Sequence, residues 1–173
     1  AYKETIEAAL SVARAAGSEL VLSTGGKSER FARRLLTTIP EECFVQIADF
    51  YGFGLEAAAK LGFTNVTHSV FIGKLVKMAM GLHYTHASSA NMNLGILGEM
   101  AREVGESEEL IERLVGANTA RHALEIIQET RSTENIIPKL SEKAMQVSRN
   151  HSHGKLDIHL FLFDYNGQVI FQA

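Results

Sequence analysis

The stretch Glu19-Leu20-Val21-Leu22-Ser23-Thr24-Gly25-Gly26-Lys27-Ser28-Glu29-Arg30-Phe31-Ala32-Arg33-Arg34-Leu35-Leu36 decides the fold. Its first five residues form an apolar run too short for a helix and read as a buried strand. Thr24-Gly25-Gly26-Lys27-Ser28 breaks that run. Beyond the break, Phe31, Ala32, Leu35 and Leu36 recur on one helical face, with Ser28 placed to cap the first turn. Upstream, Tyr2, Ile6, Ala9, Leu10 and Ala13 keep helical spacing and Gly17 ends the helix. Downstream, the same cycle returns twice. Residues 44–48 are strand-like, with Asp49 at their C-terminal end, and residues 55–61 make an alanine-rich helix stopped by Gly62. Residues 65–72 supply a third strand, and Gly73-Lys74 opens a short helix running to Met78. Strand and helix alternating in this way predict right-handed crossovers and a parallel sheet.

Residues 91–150 read differently, as a helical insertion without strands. Four apolar faces follow one another there: Leu94, Leu97, Ala101 and Val104; Leu110, Ile111 and Leu114; Ala120, Ala123, Leu124 and Ile127; Ile137, Leu140, Ala144 and Val147. Residues 156–163 then form a strand, Asp164-Tyr165-Asn166-Gly167 turns it, and residues 168–171 return as an edge hairpin. The expected architecture is one α/β domain over residues 1–173. It has a small parallel sheet of about four strands in the order 2-1-3-4, flanking helices, the insertion and the C-terminal hairpin.

Composition narrows the function classes. The 173 residues carry a net charge of −3 and are 46% hydrophobic, enough for a real core and without a strongly basic footprint for nucleic acid. Cys43 is the only cysteine, so no intrachain disulfide and no cysteine-based zinc site can form, and a reducing cytoplasmic compartment fits. No apolar run approaches the roughly 18 residues that span a bilayer. The chain opens on a helix without a start residue, and it reads as a piece of a longer protein.

Ligands of open parallel sheets bind beyond the carboxyl ends of the strands. Thr24, Gly25, Gly26, Lys27 and Ser28 follow the first strand there, and Gly73 and Lys74 follow the third. Each loop joins glycine, which lets backbone amides approach a ligand, to a lysine suited to an anion. A Walker loop requires glycine at Val21 and a dinucleotide fingerprint requires glycine at Lys27, so both readings fail. Asp49 does occupy the place of a ribose-binding carboxylate. The plain alternative is that these glycines only make tight turns. Within Leu82-His83-Tyr84-Thr85-His86-Ala87-Ser88, His83 and His86 would share a helix face, but they lack a third ligand, and no protein-bound metal is expected. His151 and His153 read as structural, and His68, His122 and His159 as surface or satisfied core residues. Cys43 reads as a small buried side chain. Met78, Met80, Met92 and Met100 read as packing, or as an apolar wall for a large flat ligand.

Three ordered segments carry a family resemblance: residues 21–32, containing Ser23-Thr24-Gly25-Gly26-Lys27-Ser28; Gln46-Ile47-Ala48-Asp49-Phe50-Tyr51-Gly52; and Gly73-Lys74-Leu75-Val76-Lys77-Met78-Ala79 with Thr85-His86-Ala87. With Phe161-Leu162-Phe163-Asp164 and the closing hairpin, the chain resembles the second half of the CbiD family. It departs most at Ala90-Asn91-Met92-Asn93, where a more acidic pattern is expected. The resemblance implies S-adenosylmethionine-dependent methylation of C1 of cobalt-precorrin-5B, giving cobalt-precorrin-6A, with cobalt entering only as part of the substrate. It also implies a partner N-terminal half. It assigns Thr24, Gly25, Gly26, Lys27, Ser28, Asp49, Gly73, Lys74, Lys77 and Thr85 to cofactor or substrate binding. His86 is the catalytic candidate, as a hydrogen-bond donor to a propionate ahead of a proton acceptor. A homo-oligomer is left open. Two rivals stand beside this reading: a nucleotide- or phosphate-binding enzyme of another class, and a non-catalytic assembly domain.

Overall fold

The computed structural model describes residues 2–86 and 94–173, so Ala87, Ser88 and Ala90-Asn91-Met92-Asn93 lie outside the described residues. The elements run α1 (Tyr2–Ala16), β1 (Glu19–Ser23), α2 (Gly26–Leu35), a 3-10 turn (Glu41–Cys43), β2 (Phe44–Gln46), α3 (Tyr51–Lys60) and β3 (Asn65–Val70). Then follow α4 (Ile72–Ala79), α5 (Gly95–Glu103), α6 (Glu108–Val115), α7 (Ala120–Glu129), α8 (Thr133–His151), β4 (Asp157–Phe163) and β5 (Val169–Gln172). The sheet order is β2-β1-β3-β4-β5. The first four strands are parallel in the expected 2-1-3-4 order, and β5 adds an antiparallel edge strand. The sheet is therefore mixed and five-stranded rather than parallel and four-stranded. The reason is the 164–167 turn, where the Asp164 carboxylate accepts from the amides of Asn166 and Gln168 while Gly167 takes φ +90. That closure returns the chain onto β4.

The path from β1 to β2 and the path from β2 to β3 run in opposite directions along the sheet. Right-handed crossovers therefore place α2 and α3 on opposite faces. On the α3 face, Leu20, Leu22, Val66, Val70, Ile158, Leu160 and Leu162 join the main core with side chains of α1, α3, α4 and α8. On the other face α2 stands as the covering helix, its Ala32 packed with Val21 and Phe44 of the sheet and its Phe31 on Phe163 at 5.6 Å between ring centroids. Within the 91–150 region, α8 packs directly on β4, α4 and α3. Helices α5 to α7 build outward from α4 and α8. No helix among the described residues is long and apolar enough to cross a membrane.

Four boundaries differ from the sequence expectation. Helix α2 begins at Gly26 with extended Gly25 as its cap, so Ser28 does not cap the helix. Ser28 lies inside the first turn, and its hydroxyl donates to the Gly25 carbonyl at 3.0 Å. Helix α3 begins at Tyr51 instead of residue 55, because Gly52 and Gly54 serve packing rather than breaking the helix. A Cβ on Gly52 would lie 2.0 Å from the His83 ring, and one on Gly54 3.0 Å from Ile47. The second and third strands end at Gln46 and Val70, before the chain turns into α3 and α4.

The main core also buries a polar trio. His68 Nε2 lies 3.0 Å from the Ser148 hydroxyl, which lies 2.5 Å from the Tyr51 hydroxyl; Tyr51 in turn donates to the Ala144 carbonyl at 3.2 Å. Burial pulls the His68 pKa down from 6.5 to about 4 and pushes the Tyr51 hydroxyl upward. Between pH 6.5 and 4 the unfolded chain binds a proton that the folded chain refuses. This contribution to stability is complete above the unfolded value and is lost as pH falls through the folded one, a change on the order of 3 kcal/mol. Thermal melts from pH 7 to 4 should therefore show a shallower acid decline in His68→Gln than in the parent chain. Parallel curves would show that His68 titrates alike in both states.

Candidate functional site

Strands β1 and β3 flank the point where the strand order reverses, and their ends are level, with Ser23 opposite Ser69. The loop after β1 enters α2 through Thr24 and Gly25, and β3 enters α4 through Phe71. Helix geometry leaves the amides of Gly26, Lys27 and Ser28 without intrahelical acceptors, facing the crevice end of α2. The Ser69 hydroxyl donates to the Ser28 carbonyl at 2.7 Å and ties this first turn to β3. Side chains added at Gly25 or Gly73 would meet nothing within 4 Å among the described residues. Gly25 is extended, with φ −177, a backbone that any residue adopts. Neither packing nor turn geometry within the chain demands glycine at these two positions. They present bare backbone to open space.

The second half of the site is a cluster around Asp49. Ala48, two residues after β2, adopts a left-handed backbone, φ +47, just before Asp49. Lys74 forms an ion pair with Asp49 and donates to the Thr85 carbonyl at 3.2 Å. Lys77 donates to the same carbonyl at 3.2 Å. The Thr85 amide donates to the Asp49 carbonyl at 2.9 Å, and its hydroxyl reaches the Asp49 carboxylate at 3.4 Å. Thr85 is only 1% exposed and Lys77 only 4%. Burial and the Lys74 charge push the Lys77 pKa down, against the pull of Asp49. Two ammonium groups thus share the Thr85 carbonyl while only Lys74 pairs with the Asp49 carboxylate, an arrangement that favours a second anion.

Asp49, Lys74, Lys77 and Thr85 are therefore brought together, whereas Lys27 points elsewhere. Its ammonium sits 5.6 Å over the Tyr165 ring, which stacks on Phe71 at 4.6 Å. His83 and His86 do not share a helix face, since residues 82–86 are not helical. His86 stacks on Tyr84 at 5.9 Å, Tyr84 packs on Phe50 at 5.1 Å, and Phe50 stacks on Tyr2 at 5.2 Å. His83 turns away to Glu56 and His151. The sequence reading did not single out Phe50, Tyr84 or Tyr165 as site residues. Their signal was only adjacency to Asp49, Thr85 and the hairpin turn. Met78 and Met100 are buried packing residues, as is Cys43. A hollow of about 250 Å³ between α1 and α3, lined by Glu7, Phe53, Glu56 and Lys60, is separate from the strand ends.

The Asp49 cluster makes one direct prediction. In Asp49→Asn, Lys77 loses the upward pull of that carboxylate and should titrate lower still, and the Thr85 amide should exchange faster with solvent. Lysine NMR titration and amide hydrogen exchange measure both effects. An unmoved Lys77 would mean that the carboxylate does not set the charge balance of the cluster.

A family model described as "CbiD, C-terminal domain" matches residues 84–173. Over 174 residues the chain is 38% identical to a cobalt-precorrin-5B C(1)-methyltransferase of Nitratidesulfovibrio vulgaris, covering 100% of this chain and 45% of that protein. It is 34% identical over 171 residues to the protein of the same name from Leptospira interrogans, covering 98% of this chain and 46% of that one. A Geobacillus kaustophilus protein of the same name is 34% identical over 174 residues, again with 100% and 46% covered. The chain spans about half the length of the curated relatives it matches. No solved structure matches it. The family model takes in more than half of the chain, including Thr85, His86 and the whole run from α5 to β5, and the chain therefore belongs to the CbiD family.

Proposed function

We propose that this chain is the C-terminal half of a cytoplasmic, S-adenosylmethionine-dependent enzyme that methylates C1 of cobalt-precorrin-5B, giving cobalt-precorrin-6A in anaerobic cobalamin assembly. The observation that carries the reading is the level ends of β1 and β3, after which Gly25 and Gly73 have open space at the backbone, with Lys74 and Lys77 both donating to the Thr85 carbonyl. The curated relatives bear the name of that activity. The acceptor is a flat macrocycle edged with carboxylates. Its recognition calls for apolar faces with cations spaced around them; Lys74 and Lys77 stand together at Thr85, Arg30 lies beside Gly26, and Lys27 would have to leave the Tyr165 ring to join them.

The residues present fit the methyl donor as well. Amides at the start of α2 suit a carboxylate, and the bare backbone of Gly25 and Gly73 admits a flat adenosine at close range, with Arg30 and Gln46 lying against Gly26. Thr24 and Ser28 border the same strip. Bound there, S-adenosylmethionine supplies the sulfonium methyl group. The chain's own contribution is alignment, which can supply much of the rate of such a transfer. Asp49 and Thr85 hold the 82–86 segment in place, so that His86 meets the substrate from a fixed support. His86 hydrogen-bonds a propionate in this reading. Cobalt enters already chelated within the substrate. The N-terminal half completes the enzyme.

A thermal-shift titration of the chain with S-adenosylhomocysteine tests the donor site. Saturation at a hundredfold excess over Kd should stabilise the fold by about 2.7 kcal/mol. Gly25→Ala and Gly73→Ala should fold as the parent does, because their new methyl groups meet no protein atom, and should lose that shift. Stabilisation by ATP alone would favour a phosphate-binding enzyme, and silence from both ligands would move the donor site out of these residues. In the full-length enzyme, His86→Ala should raise KM for the macrocycle with kcat retained. A loss confined to kcat would assign the proton-acceptor role instead.

A further inference from the structure

Outside the crevice, three side chains from three separate elements converge. Glu56 lies on α3, His83 in the segment after α4, and His151 is the last residue of α8. Their ligand atoms all lie within 4.8 Å of one another. Glu56 Oε1 and His83 Nε2 are 2.9 Å apart, and the His83 and His151 rings meet edge to face at 5.2 Å between centroids. The Nε2 atom of His151 is buried and has no hydrogen-bond partner among the described residues.

The convergence is built rather than incidental. The Gly52 amide donates to the His83 carbonyl at 2.8 Å, and the His83 ring lies so close over Gly52 that a Cβ there would stand 2.0 Å from it. Glu56 follows Gly52 by one helical turn on the same face, which sets its carboxylate beside that ring. His151 is steadied by Tyr51, packed edge-on at 5.2 Å, whose hydroxyl is fixed in turn by Ser148 and Ala144. Two imidazoles and one carboxylate are a donor set for a borderline divalent ion such as zinc. Bonds of about 2.0–2.2 Å at tetrahedral angles place donor atoms roughly 3.4 Å apart, so closure onto an ion needs only small side-chain rotations. His83 and Glu56 are 49% and 39% exposed, leaving an entry path and a fourth position open to water.

We propose that Glu56, His83 and His151 bind one zinc-like divalent ion, which clamps the segment bearing Thr85 and His86 against α3 and α8. The sequence expectation of no metal paired His83 with His86 and found no third ligand. The fold pairs it with Glu56 and His151, residues remote in the chain. Thr85, two residues beyond His83, is latched to Asp49, so an ion at His83 anchors the same short segment from its other end. None of the three ligands is assigned to the crevice, and the site stands whether or not methyl transfer is the chemistry performed there.

The test uses the tag-free chain, stripped with a chelator and then titrated. Zinc followed by calorimetry should bind once per chain and raise the melting temperature. Cobalt(II) should give the visible absorption of a low-coordinate site with nitrogen and oxygen donors. Glu56→Gln, nearly isosteric and on the surface, and His151→Ala should each weaken binding at least about tenfold. His122→Ala, an exposed histidine of α7, should leave binding unchanged. No saturable binding to the folded parent chain, or undiminished binding by Glu56→Gln, overturns the site. Glu56→Gln decides the matter even where His151→Ala fails to fold.

Discussion

The constraint on which the molecule depends is the position of β3 between two parallel partners, β1 on one side and β4 on the other. Alternation along this one strand assigns both faces of the sheet. Val66, His68 and Val70 enter the main core, while Ser69 points the other way and holds the first turn of α2. A slip of one residue would exchange those sets and expel His68 from its contact with Ser148. The same register levels the ends of β1 and β3, and only level ends bring Gly25 and Gly73 to one crevice. Packing and site geometry thus share a single determinant.

Around that crevice the charges are arranged in tension. Lys77 is buried with a carbonyl for company, and Lys74 claims the nearby carboxylate of Asp49. An ammonium group in low-dielectric surroundings is stabilised by any anion that arrives, since its own desolvation has already been met by the fold. The overall charge of −3 says nothing against anionic ligands, because only the local field at the strand ends acts on them. The Phe50–Tyr84 pair lies beside Asp49 and Thr85, and the Phe71–Tyr165 pair lies where β3 enters α4.

Much of this was legible in the sequence. Short apolar runs located β1, β3 and β4, the 3.6-residue spacing located the helices after β1 and β3, and short-range turn chemistry at Gly62 and Gly167 located two stops. Loop glycines and lysines were found because spacing from a strand end is a local property. What escaped detection was decided by contacts between distant residues. Gly52 looks like a helix breaker until His83 is placed over it, and Ser28 looks like a cap until the two preceding glycines start the helix early. Glu56 carries no metal-binding signal beside its own neighbours, and its significance comes only from His83 and His151, which lie far along the chain. The aromatic ladder from Tyr2 to His86 joins three separate elements and has no periodicity of its own.

The pairing of β3 with β4 has a further consequence, for the order in which the chain can acquire its structure. On a ribosome, β1, β2 and β3 emerge early, but the strand that completes the sheet core follows only after α4 to α8 have been made. Closing that long excursion loses chain entropy before the β3–β4 ladder returns any of it, which makes the step slow relative to local helix formation. Until then β3 presents an unpaired edge and an apolar face to whatever is nearby. Helix α8, which packs against both α4 and β4, is the element that shortens the search by carrying the last strands back toward the sheet. The nascent chain is accordingly most dependent on chaperone protection in the interval between synthesis of β3 and release of β4.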